Sequence, residues 1–359
     1  MTKISRSLQL SLGLTMLLAM GAGCNLPLFG QSKTEKVGTG GLLVSQDAGR
    51  TWASKSALLT PTGTSSISGV DIISFEQDPS DPTTLYAGSL ANGLFYSLDG
   101  GESWQRPEDQ SIRTGSIIDI EVSPKDICTY YVLKADRLSK TTTCGREFDT
   151  ETYVETRTDE QLTQLAIDWY NPRILYLGTT AGDVFKSIDG GATWFSSAKI
   201  RGQVSVLEVS NGDSRVVILG TESNGLYRTA DGGGNWVEYK DQLKTFKNAD
   251  NIYDLTQTSD GATMVMSSEY GLLASKDLGF SWADVPLVAT DDVVIYDVAV
   301  APTDGDIIVY GTGTTLLRST SGGSAWSTQD LPTTRAASVV QIDAADPNKI
   351  YLGVQALKD

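Results

Sequence analysis

The octet SIDGGATW, residues 187–194, recurs along the chain and organises it. Further copies are SQDAGRTW (45–52), SLDGGESW (97–104), TADGGGNW (229–236), SKDLGFSW (275–282) and STSGGSAW (319–326). A seventh, TTTCGREF (141–148), keeps the hydroxyl residue, the glycine and an aromatic residue but lacks the aspartate. Counted from the aromatic residue, successive copies lie 52, 44, 46, 42, 46 and 44 residues apart. Such a period is typical of the four-stranded blade of a β-propeller.

Three strand-like runs precede the octets. The nearest is represented by NGLFYS (from Asn92) and GDVFKS (from Gly182), and the next by TLYAGS (from Thr84) and ILYLGT (from Ile174). Before these lies an apolar run such as IYDVAV, which we predict to be the innermost strand of each blade. Short runs rich in aromatic and β-branched residues, separated by glycine-containing turns, predict antiparallel strands. We label the strands of each blade A to D from the inside outward.

The two ends of the chain predict how the ring closes. The C-terminal part supplies only strand A (SVVQIDA, from Ser338) and strand B (IYLGV, from Ile350), whereas the N-terminal part supplies strand C (GGLLVS, from Gly40) and its octet. Together they complete one blade, and strand pairing between them leaves no free sheet edge. The sequence therefore predicts an all-β fold over residues 39–359. We expect a seven-bladed β-propeller of four-stranded antiparallel blades, closed by pairing of the N- and C-terminal strands.

The octet resembles the Asp-box of the BNR-repeat propellers, SxDxGxxW. The resemblance implies that each box lies on the turn between strands C and D, away from the face that carries binding pockets. Its physical role is local: the aspartate accepts hydrogen bonds from backbone N–H groups, glycine takes a positive φ, and the tryptophan packs between sheets. The residues given this structural role are Asp47, Trp52, Asp99, Trp104, Asp189, Trp194, Asp231, Trp236, Asp277, Trp282 and Trp326.

The first residues predict export. Lys3 and Arg6 precede an apolar run over residues 8–20, which is shorter than the roughly 20 residues needed to span a bilayer. Gly21, Ala22, Gly23 and Cys24 resemble the bacterial lipobox, although Gly21 stands where leucine is usual. We therefore expect a lipoprotein signal peptide over residues 1–23, lipidation of Cys24 and a tether over residues 24–38. Simple secretion is the alternative.

Charge and composition narrow the function. The 359 residues carry a net charge of −16 and include no histidine. The acidic balance argues against nucleic acid, whose phosphates require clustered Lys and Arg. The lack of histidine removes the commonest general base and metal ligand, leaving carboxylate, Tyr, Lys or Arg chemistry. We expect no cofactor, no metal and no catalytic residue.

Cys128 and Cys144 both fall in the blade whose octet lacks the aspartate. Cys128 precedes strand B and Cys144 lies within the C–D turn, which propeller topology places on the same face. An exported compartment permits a disulfide, and we predict one that replaces the turn-stabilising bonds lost with the aspartate. Two unpaired thiols are the alternative.

Functional sites of propellers cluster around the central channel on the opposite face, which the D–A and B–C loops build. A cation precedes strand A in five blades. These binding candidates are Arg113, Arg157, Arg201, Lys247 and Arg335. A basic mouth would attract an acidic segment or an anionic sugar, whereas ordinary exposed loop charges are the alternative. Tyr153, Tyr239 and Phe246 are candidate stacking residues on the same loops.

Three families offer functional expectations. Sialidases carry an Arg-Ile-Pro motif before the first box, and no such segment precedes Gly40. Xyloglucanase-type glycosidases set two carboxylates across a cleft between two propeller domains, and although Asp119 and Asp168 are inner-strand candidates, no pair stands out. Sortilin-type receptors hold peptides in a larger channel.

The better resemblance, in LYxGT strands and DGGxTW turns, is to the photosystem II stability and assembly factors. It implies a non-catalytic cell-envelope scaffold that binds a protein or peptide around the channel and is held to a membrane by its lipid. The alternative is a propeller that binds or hydrolyses glycans. A glycosidase needs a carboxyl group that stays protonated near neutral pH, whereas we expect no cluster of such groups in a scaffold.

Overall fold

The computed structural model describes residues 40–288 and 294–356. These residues form seven antiparallel blade sheets and one separate two-stranded hairpin, and the innermost strand of each blade contacts that of the next. The innermost strand of the last sheet contacts that of the first, so the ring is closed. The predicted all-β, seven-bladed propeller is confirmed.

The strands follow the predicted order. Before the first complete blade come β1 (Gly41–Ser45), β2 (Ala53–Ser54), β3 (Ala57–Thr60) and β4 (Gly63–Ser66). Blade 1 contains β5 (Ile72–Gln77), β6 (Leu85–Ser89) and β7 (Leu94–Ser97). Blade 2 contains β8 (Asp119–Val122), β9 (Tyr130–Lys134), β10 (Arg137–Thr141) and β11 (Asp149–Val154). Blade 3 contains β12 (Leu162–Ile167), β13 (Leu175–Thr179), β14 (Asp183–Ser187) and β15 (Phe195–Lys199).

The second half of the ring repeats the pattern. Blade 4 contains β16 (Val204–Val209), β17 (Val217–Thr221), β18 (Leu226–Thr229) and β19 (Val237–Glu238). Blade 5 contains β20 (Ile252–Gln257), β21 (Met264–Ser268), β22 (Gly271–Ser275) and β23 (Ala283–Val285). Blade 6 contains β24 (Val298–Ala301), β25 (Asp304–Thr312), β26 (Thr315–Thr320) and β27 (Trp326–Asp330). Blade 7 combines β28 (Ala336–Ile342) and β29 (Ile350–Gln355) with β1 and β2.

Helix is sparse in the described part of the chain. A 3-10 helix covers Gln110–Ile112, and α1 covers Lys240–Leu243. Within the described ranges no helix has the length and apolar character required to cross a bilayer.

Closure of the ring rests on the pairing of β1 with β29. The strands are antiparallel, with Leu43 opposite Leu352 and Gly41 opposite Val354. This pairing joins residues more than 300 positions apart, so the closing blade forms only when both ends of the propeller are in place. The predicted closure by N- and C-terminal strands is confirmed.

Blade 1 departs from the predicted four strands. Its outer strand is reduced to one bridge between Tyr96 and Gln105. The backbone of Trp104 instead pairs with the β3–β4 hairpin, donating to Ala57 O (2.8 Å) and accepting from Leu59 N (2.8 Å). Pro107, two residues after Gln105, has no N–H with which to extend a ladder. The hairpin therefore takes the place of the missing outer strand of blade 1. No repeat in the sequence predicts it.

The repeated glycine of strand B explains the close approach of neighbouring blades. A Cβ at Gly178 would lie 2.5 Å from Val204 Cγ1 in the next blade, and one at Gly353 would lie 3.0 Å from Ile72 Cγ2 across the closing interface. Both neighbours begin or precede an innermost strand. At these positions glycine lets strand A of the next blade pack closely against the preceding sheet.

Candidate functional site: the channel and its mouth on the loop face

The Asp-box turns form hydrogen-bonded loops between strands C and D. In the box of blade 3, Asp189 Oδ1 accepts from Ser187 Oγ (2.8 Å) and Thr193 N (2.9 Å), and Asp189 Oδ2 accepts from Thr193 Oγ1 (2.6 Å). These bonds, led by that of the Thr193 hydroxyl, lower the pKa of Asp189 to about 2. The aspartates with the same bonding are Asp47, Asp99, Asp231 and Asp277. Their oxygens are engaged by their own turns, which is a structural arrangement.

The box tryptophans connect neighbouring blades. Trp104 is fully buried, and its Nε1 donates to Lys55 O (2.9 Å) in the segment after β2. Trp194 donates to Thr152 O (2.9 Å) in the preceding blade. Trp236 and Trp326 donate in the same direction, to Ser197 Oγ and Pro286 O. The Nε1 atoms of Trp52 and Trp282 are buried without a partner among the described residues.

The degenerate box of blade 2 keeps more of its bonds than the sequence suggested. Thr143 occupies the aspartate position, and its hydroxyl accepts from Glu147 N (3.0 Å), while Thr141 Oγ1 accepts from Gly145 N (3.1 Å). The expectation that these bonds are lost is therefore wrong. Cys128 and Cys144 are joined by a disulfide, with Cys144 N also donating to Cys128 O (3.2 Å). The disulfide adds to the turn and does not substitute for it.

The N-terminal predictions lie outside the described residues. These are the signal peptide over 1–23, Cys24 as the lipidated residue and the tether over 24–38. They stay predictions.

The five candidate cations all lie on the segments that connect one blade to the next. Arg157 is held by Glu155 (Nη2 to Oε2, 2.7 Å) and Asp183 (Nη1 to Oδ2, 2.6 Å), whose hydrogen bonds raise its pKa. Arg335 is ion-paired with Asp71. Two of the five charges are thus neutralised locally.

The other three cations differ in their surroundings. Arg113 Nε donates to Pro107 O (2.5 Å), so its side chain folds back on its own loop. Arg201 and Lys247 are exposed and have no ion pair within the described ranges. None of the five is among the described residues that line the channel or the groove at its mouth. Their role in binding stays a prediction, and the geometry does not bring them together as one basic surface.

The channel is lined by carboxyl groups. Its cavity of about 340 Å³ is bounded by the seven innermost strands and their flanking residues. Three aspartates and three glutamates face it from five blades: Glu76, Asp119, Glu121, Glu208, Asp254 and Asp297. No Lys or Arg is among the described residues of this lining. Asp119 was a sequence candidate, whereas the other candidate, Asp168, is buried at an A–B turn and accepts from Tyr170 N and Asn171 N.

Burial raises the pKa of these carboxyls. Loss of hydration raises that of Glu208 to about 8 and that of Asp119 to about 6, the latter against hydrogen bonds from Leu165 and Ile120. The pKa values of Glu76 and Glu121 are raised first by burial and then by neighbouring carboxylates. The expectation that a scaffold has no such cluster is not met.

Asp254 and Asp297 form a pair of buried carboxyls. Burial raises the pKa of both, and the neighbouring Asp254 raises that of Asp297 further. The two groups belong to neighbouring blades, so the pair joins β20 to the segment before β24.

Three of the channel aspartates also join neighbouring blades through the backbone. Asp119 Oδ2 accepts from Leu165 N (2.9 Å), Asp254 Oδ2 from Val298 N (2.9 Å) and Asp297 Oδ2 from Val340 N (2.5 Å). Each donor lies on the innermost strand of the next blade. An N–H left without a partner at such a buried position is costly, so these aspartates stabilise the ring.

A groove of about 620 Å³ opens at the loop-face mouth of the channel. The starts of the innermost strands of blades 3 to 5, with the residues just before them, and the B–C loops of blades 3 and 4 build it, with Ile118 and Tyr296 contributed by the flanking blades. Its lining mixes polar and aromatic groups, including Gln161, Gln164, Gln203, Glu222, Tyr253 and Tyr296. Hereafter "the groove" means this cavity.

The aromatic residues of the groove are not those the sequence suggested. Tyr153 packs against Phe185 and Trp194, Tyr239 is buried, and Phe246 packs against Tyr270. These candidates serve the packing of the outer blades. Tyr296 is 63% exposed at the groove, and its ring centroid lies 5.6 Å from that of Tyr253.

Residues 95–106 match the BNR/Asp-box repeat. No curated protein matches the chain as a whole. The matched segment covers β7, the box of blade 1 and its tryptophan. The comparison thus finds one copy of the repeat whose spacing predicted the fold.

Solved structures with the same fold include GH74 enzymes and YCF48. The GH74 xyloglucanase from Xanthomonas campestris is 17% identical, with a TM-score of 0.65 over 79% of this chain and 51% of that enzyme. YCF48 bound to a D1 peptide is 15% identical, with a TM-score of 0.61 over 80% of this chain and 94% of that protein. YCF48 from Cyanidioschyzon merolae is 14% identical, with a TM-score of 0.58 over 79% and 95%. The chain spans about half the length of the GH74 enzymes, and at these identities the likeness concerns the fold.

The residues of the channel and groove carried a signal in the sequence. Side chains two apart on a strand share a face, so Asp119 and Glu121 point the same way. The tripeptide IYD occurs at residues 252–254 and again at 295–297, placing a tyrosine and an aspartate at equivalent points of blades 5 and 6. Aligning the innermost strands by their octets would have brought these positions together.

Proposed function

We propose that this protein is a non-catalytic binding scaffold that holds a protein or peptide segment in the groove at the loop-face mouth of its channel. The groove carries the proposal, because it is a cavity of about 620 Å³ with a tyrosine 63% exposed at its edge. Specific ligand sites are typically concave, of roughly 300–1,000 Å³, with aromatic walls and a few polar groups. The role is similar to that expected of a photosystem II stability/assembly factor-like propeller.

The bonding of the channel aspartates supports a binding role over a catalytic one. Asp119, Asp254 and Asp297 each accept a backbone N–H from the next blade. A carboxyl that holds two blades together is poorly placed to accept a proton from substrate, since protonation would weaken that bond. The three channel aspartates are therefore assigned to the ring.

We further propose that the scaffold works in the cell envelope, anchored by a lipid on Cys24. The order of Lys3, Arg6, the apolar run over residues 8–20 and the small residues before Cys24 supports this placement. Anchoring would hold the groove near membrane proteins that expose peptide segments. Metabolic labelling with a radioactive fatty acid, lost in Cys24→Ser, tests this step.

Affinity capture tests the binding role. The full-length lipidated protein is immobilised and exposed to detergent-solubilised envelopes of its host, beside a Tyr296→Ala variant and a Tyr170→Ala variant. Tyr170 is the matched control, because it is 70% exposed on an A–B turn of the opposite face. We expect one envelope protein to be enriched by the wild type and by Tyr170→Ala but not by Tyr296→Ala. Enrichment of no protein, or equal enrichment by all three, contradicts the proposal.

Glycan binding or hydrolysis is the second candidate, and one observation favours it. Burial raises the pKa of Glu208 to about 8, so this carboxyl remains protonated at neutral pH, as a general acid must. Incubation with xyloglucan and other β-glucans, followed by an assay for new reducing ends, tests it. If the wild type releases reducing ends and Glu208→Gln does not, the protein is a glycosidase and the scaffold proposal is wrong.

A further inference from the structure

We propose that the groove selects a basic segment of its partner: a peptide whose Lys or Arg side chain packs against Tyr253 and Tyr296 while its charge faces the carboxylates of Glu222 and Glu269. This inference rests on the proposed function and specifies the chemistry of the partner. It also reverses the expectation, drawn from loop cations, of an acidic ligand.

The two tyrosines provide a surface suited to a cationic side chain. Their ring centroids are 5.6 Å apart with planes inclined at 57°, and Tyr296 is 63% exposed. Tyr253 is fixed by a hydrogen bond that its hydroxyl accepts from Asn251 Nδ2 (3.2 Å). A guanidinium or ammonium over a tyrosine ring is attracted by its negative face, and its aliphatic stem covers apolar surface.

The charges around these rings are acidic. Glu222 lines the groove, and the carboxylates of Glu269 and Glu222 both contribute, after burial, to raising the pKa of Tyr253. Glu222 accepts from Gln203 Nε2 (2.8 Å), and Glu269 accepts from Asn248 and Asn251. These donors are neutral, and within the described ranges neither glutamate has an ion pair. Both carboxylates therefore keep an uncompensated charge.

The floor of the groove adds carboxyl groups and, among the described residues, no positive charge. Asp254 and Asp297 directly follow the two tyrosines in sequence and line the channel beneath them. The described lining of the groove contains no Lys or Arg. By contrast, Arg157 and Arg335, elsewhere on the loop face, are already paired with acids. A cation from a partner would be the first positive charge to enter the groove, whereas an acidic segment would meet like charges.

Peptide selection on the intact protein tests this chemistry. A phage library of random dodecamers is panned on the immobilised full-length protein at low and at physiological salt, with recovered sequences compared with the unselected library. We expect enrichment of Lys or Arg at one position of a shared motif. Panning on the Tyr170→Ala variant should give the same motif.

Matched variants locate the selected peptide. Glu222→Lys reverses an exposed charge in the groove, and Glu238→Lys makes the same change on the outer strand of the same blade. We expect Glu222→Lys to weaken a selected synthetic peptide about tenfold or more, and Tyr296→Ala to weaken it about tenfold. Glu238→Lys should change its Kd less than about twofold. Because all three sites are exposed, circular dichroism and Tm should stay unchanged.

The outcomes separate this inference from the proposed function. A selected motif that is acidic or uncharged overturns the inference but leaves a peptide-binding scaffold. A basic motif whose binding is weakened equally by Glu222→Lys and Glu238→Lys also overturns it, since the attraction is then non-specific. Selection of no peptide overturns the inference, and if envelope capture also recovers no protein, the scaffold itself is excluded.

Discussion

Carboxyl groups occur as repeated sets in two regions of this propeller, and the two sets behave in opposite ways. The aspartates of the box turns are surrounded by donors, so that hydrogen bonds from Thr193 lower the pKa of Asp189 to about 2. The carboxyls of the channel face one another across a confined space, so that burial raises the pKa of Glu208 to about 8. Asp119 lies between these extremes, with a pKa raised to about 6.

The difference teaches that a repeated acid is not by itself a catalytic signature. The box aspartates recur because each turn needs the same acceptor. The channel carboxyls recur because alternate side chains along or beside the innermost strands face the lumen, as those of Asp119 and Glu121 do in blade 2. Neither set requires a substrate to explain it, and this directs attention to the groove, where exposed aromatic rings and uncompensated acids have no such explanation.

The largest expected effect concerns the tryptophan of a box turn. Trp104→Ala removes a fully buried ring and its bond to Lys55 O, and we expect the free energy of unfolding to fall by about 3–5 kcal/mol. Trp194→Ala should destabilise less, because that ring is only half-buried. Denaturant unfolding followed by circular dichroism measures both. Equal losses would mean that the boxes do not stabilise the ring through burial.

The second effect is a gain in stability. The unfolded chain ionises Glu208 near its ordinary pKa of 4.5, whereas the folded protein keeps it protonated to about 8, so this residue costs stability as pH rises between these values. Glu208→Gln should match the wild type at pH 4.5 and be more stable at pH 8.5 by at least ~1 kcal/mol. Thermal unfolding across this range measures it. A variant less stable at pH 8.5 would show that the ionised carboxylate is needed.

The third effect is smaller and has the opposite sign. Asp189 has a folded pKa of about 2 against an ordinary value of 3.8, so its contribution is present above pH 4 and is lost as pH falls through about 2. Asp189→Asn should lower Tm at pH 7 and remove this part of the acid sensitivity. The same acid-to-amide change thus destabilises the box and stabilises the channel. If Asp189→Asn and Glu208→Gln change the stability in the same direction at pH 8.5, the box and channel carboxyls do not differ in this way.

The smallest effect restores a box. Ser321 stands at the aspartate position in blade 6, where its hydroxyl accepts from Ala325 N (3.0 Å). Ser321→Asp should raise the free energy of unfolding by less than ~1 kcal/mol, because a carboxylate is the stronger acceptor. The Tm should rise slightly with it. Differential scanning calorimetry resolves such a change, with Ser324→Asp as the control. A loss of stability would show that this turn accommodates serine better than aspartate at position 321.

Much of the fold was predictable because its determinants are local and repeated. Spacing of the octets indicated seven blades, and the strands left over at each end indicated the closure between β1 and β29. The β3–β4 hairpin was not predictable, since it belongs to no repeat and takes its place by pairing with Trp104. The disulfide partners followed from their positions on adjacent turns.

The site was harder to predict because its residues come from different blades. Loop cations such as Arg157 and Arg335 stood out in the sequence, yet acids brought beside them by folding neutralise them. Tyr296 lay within IYDVAV, a run interpreted as an apolar strand, and Tyr253 holds the equivalent place in blade 5; only the curvature of the ring brings them together. Charge at a propeller mouth depends on side chains from neighbouring blades, which one-dimensional patterns do not pair.

Hydrogen–deuterium exchange on the full-length protein, with and without the envelope protein recovered by capture, tests most directly where binding occurs. The account predicts slower exchange in residues 161–164, 203–205 and 251–254, around the groove, with unchanged exchange in the box turns at 45–52 and 187–194. Slower exchange confined to the box turns, with the groove segments unchanged, would contradict it.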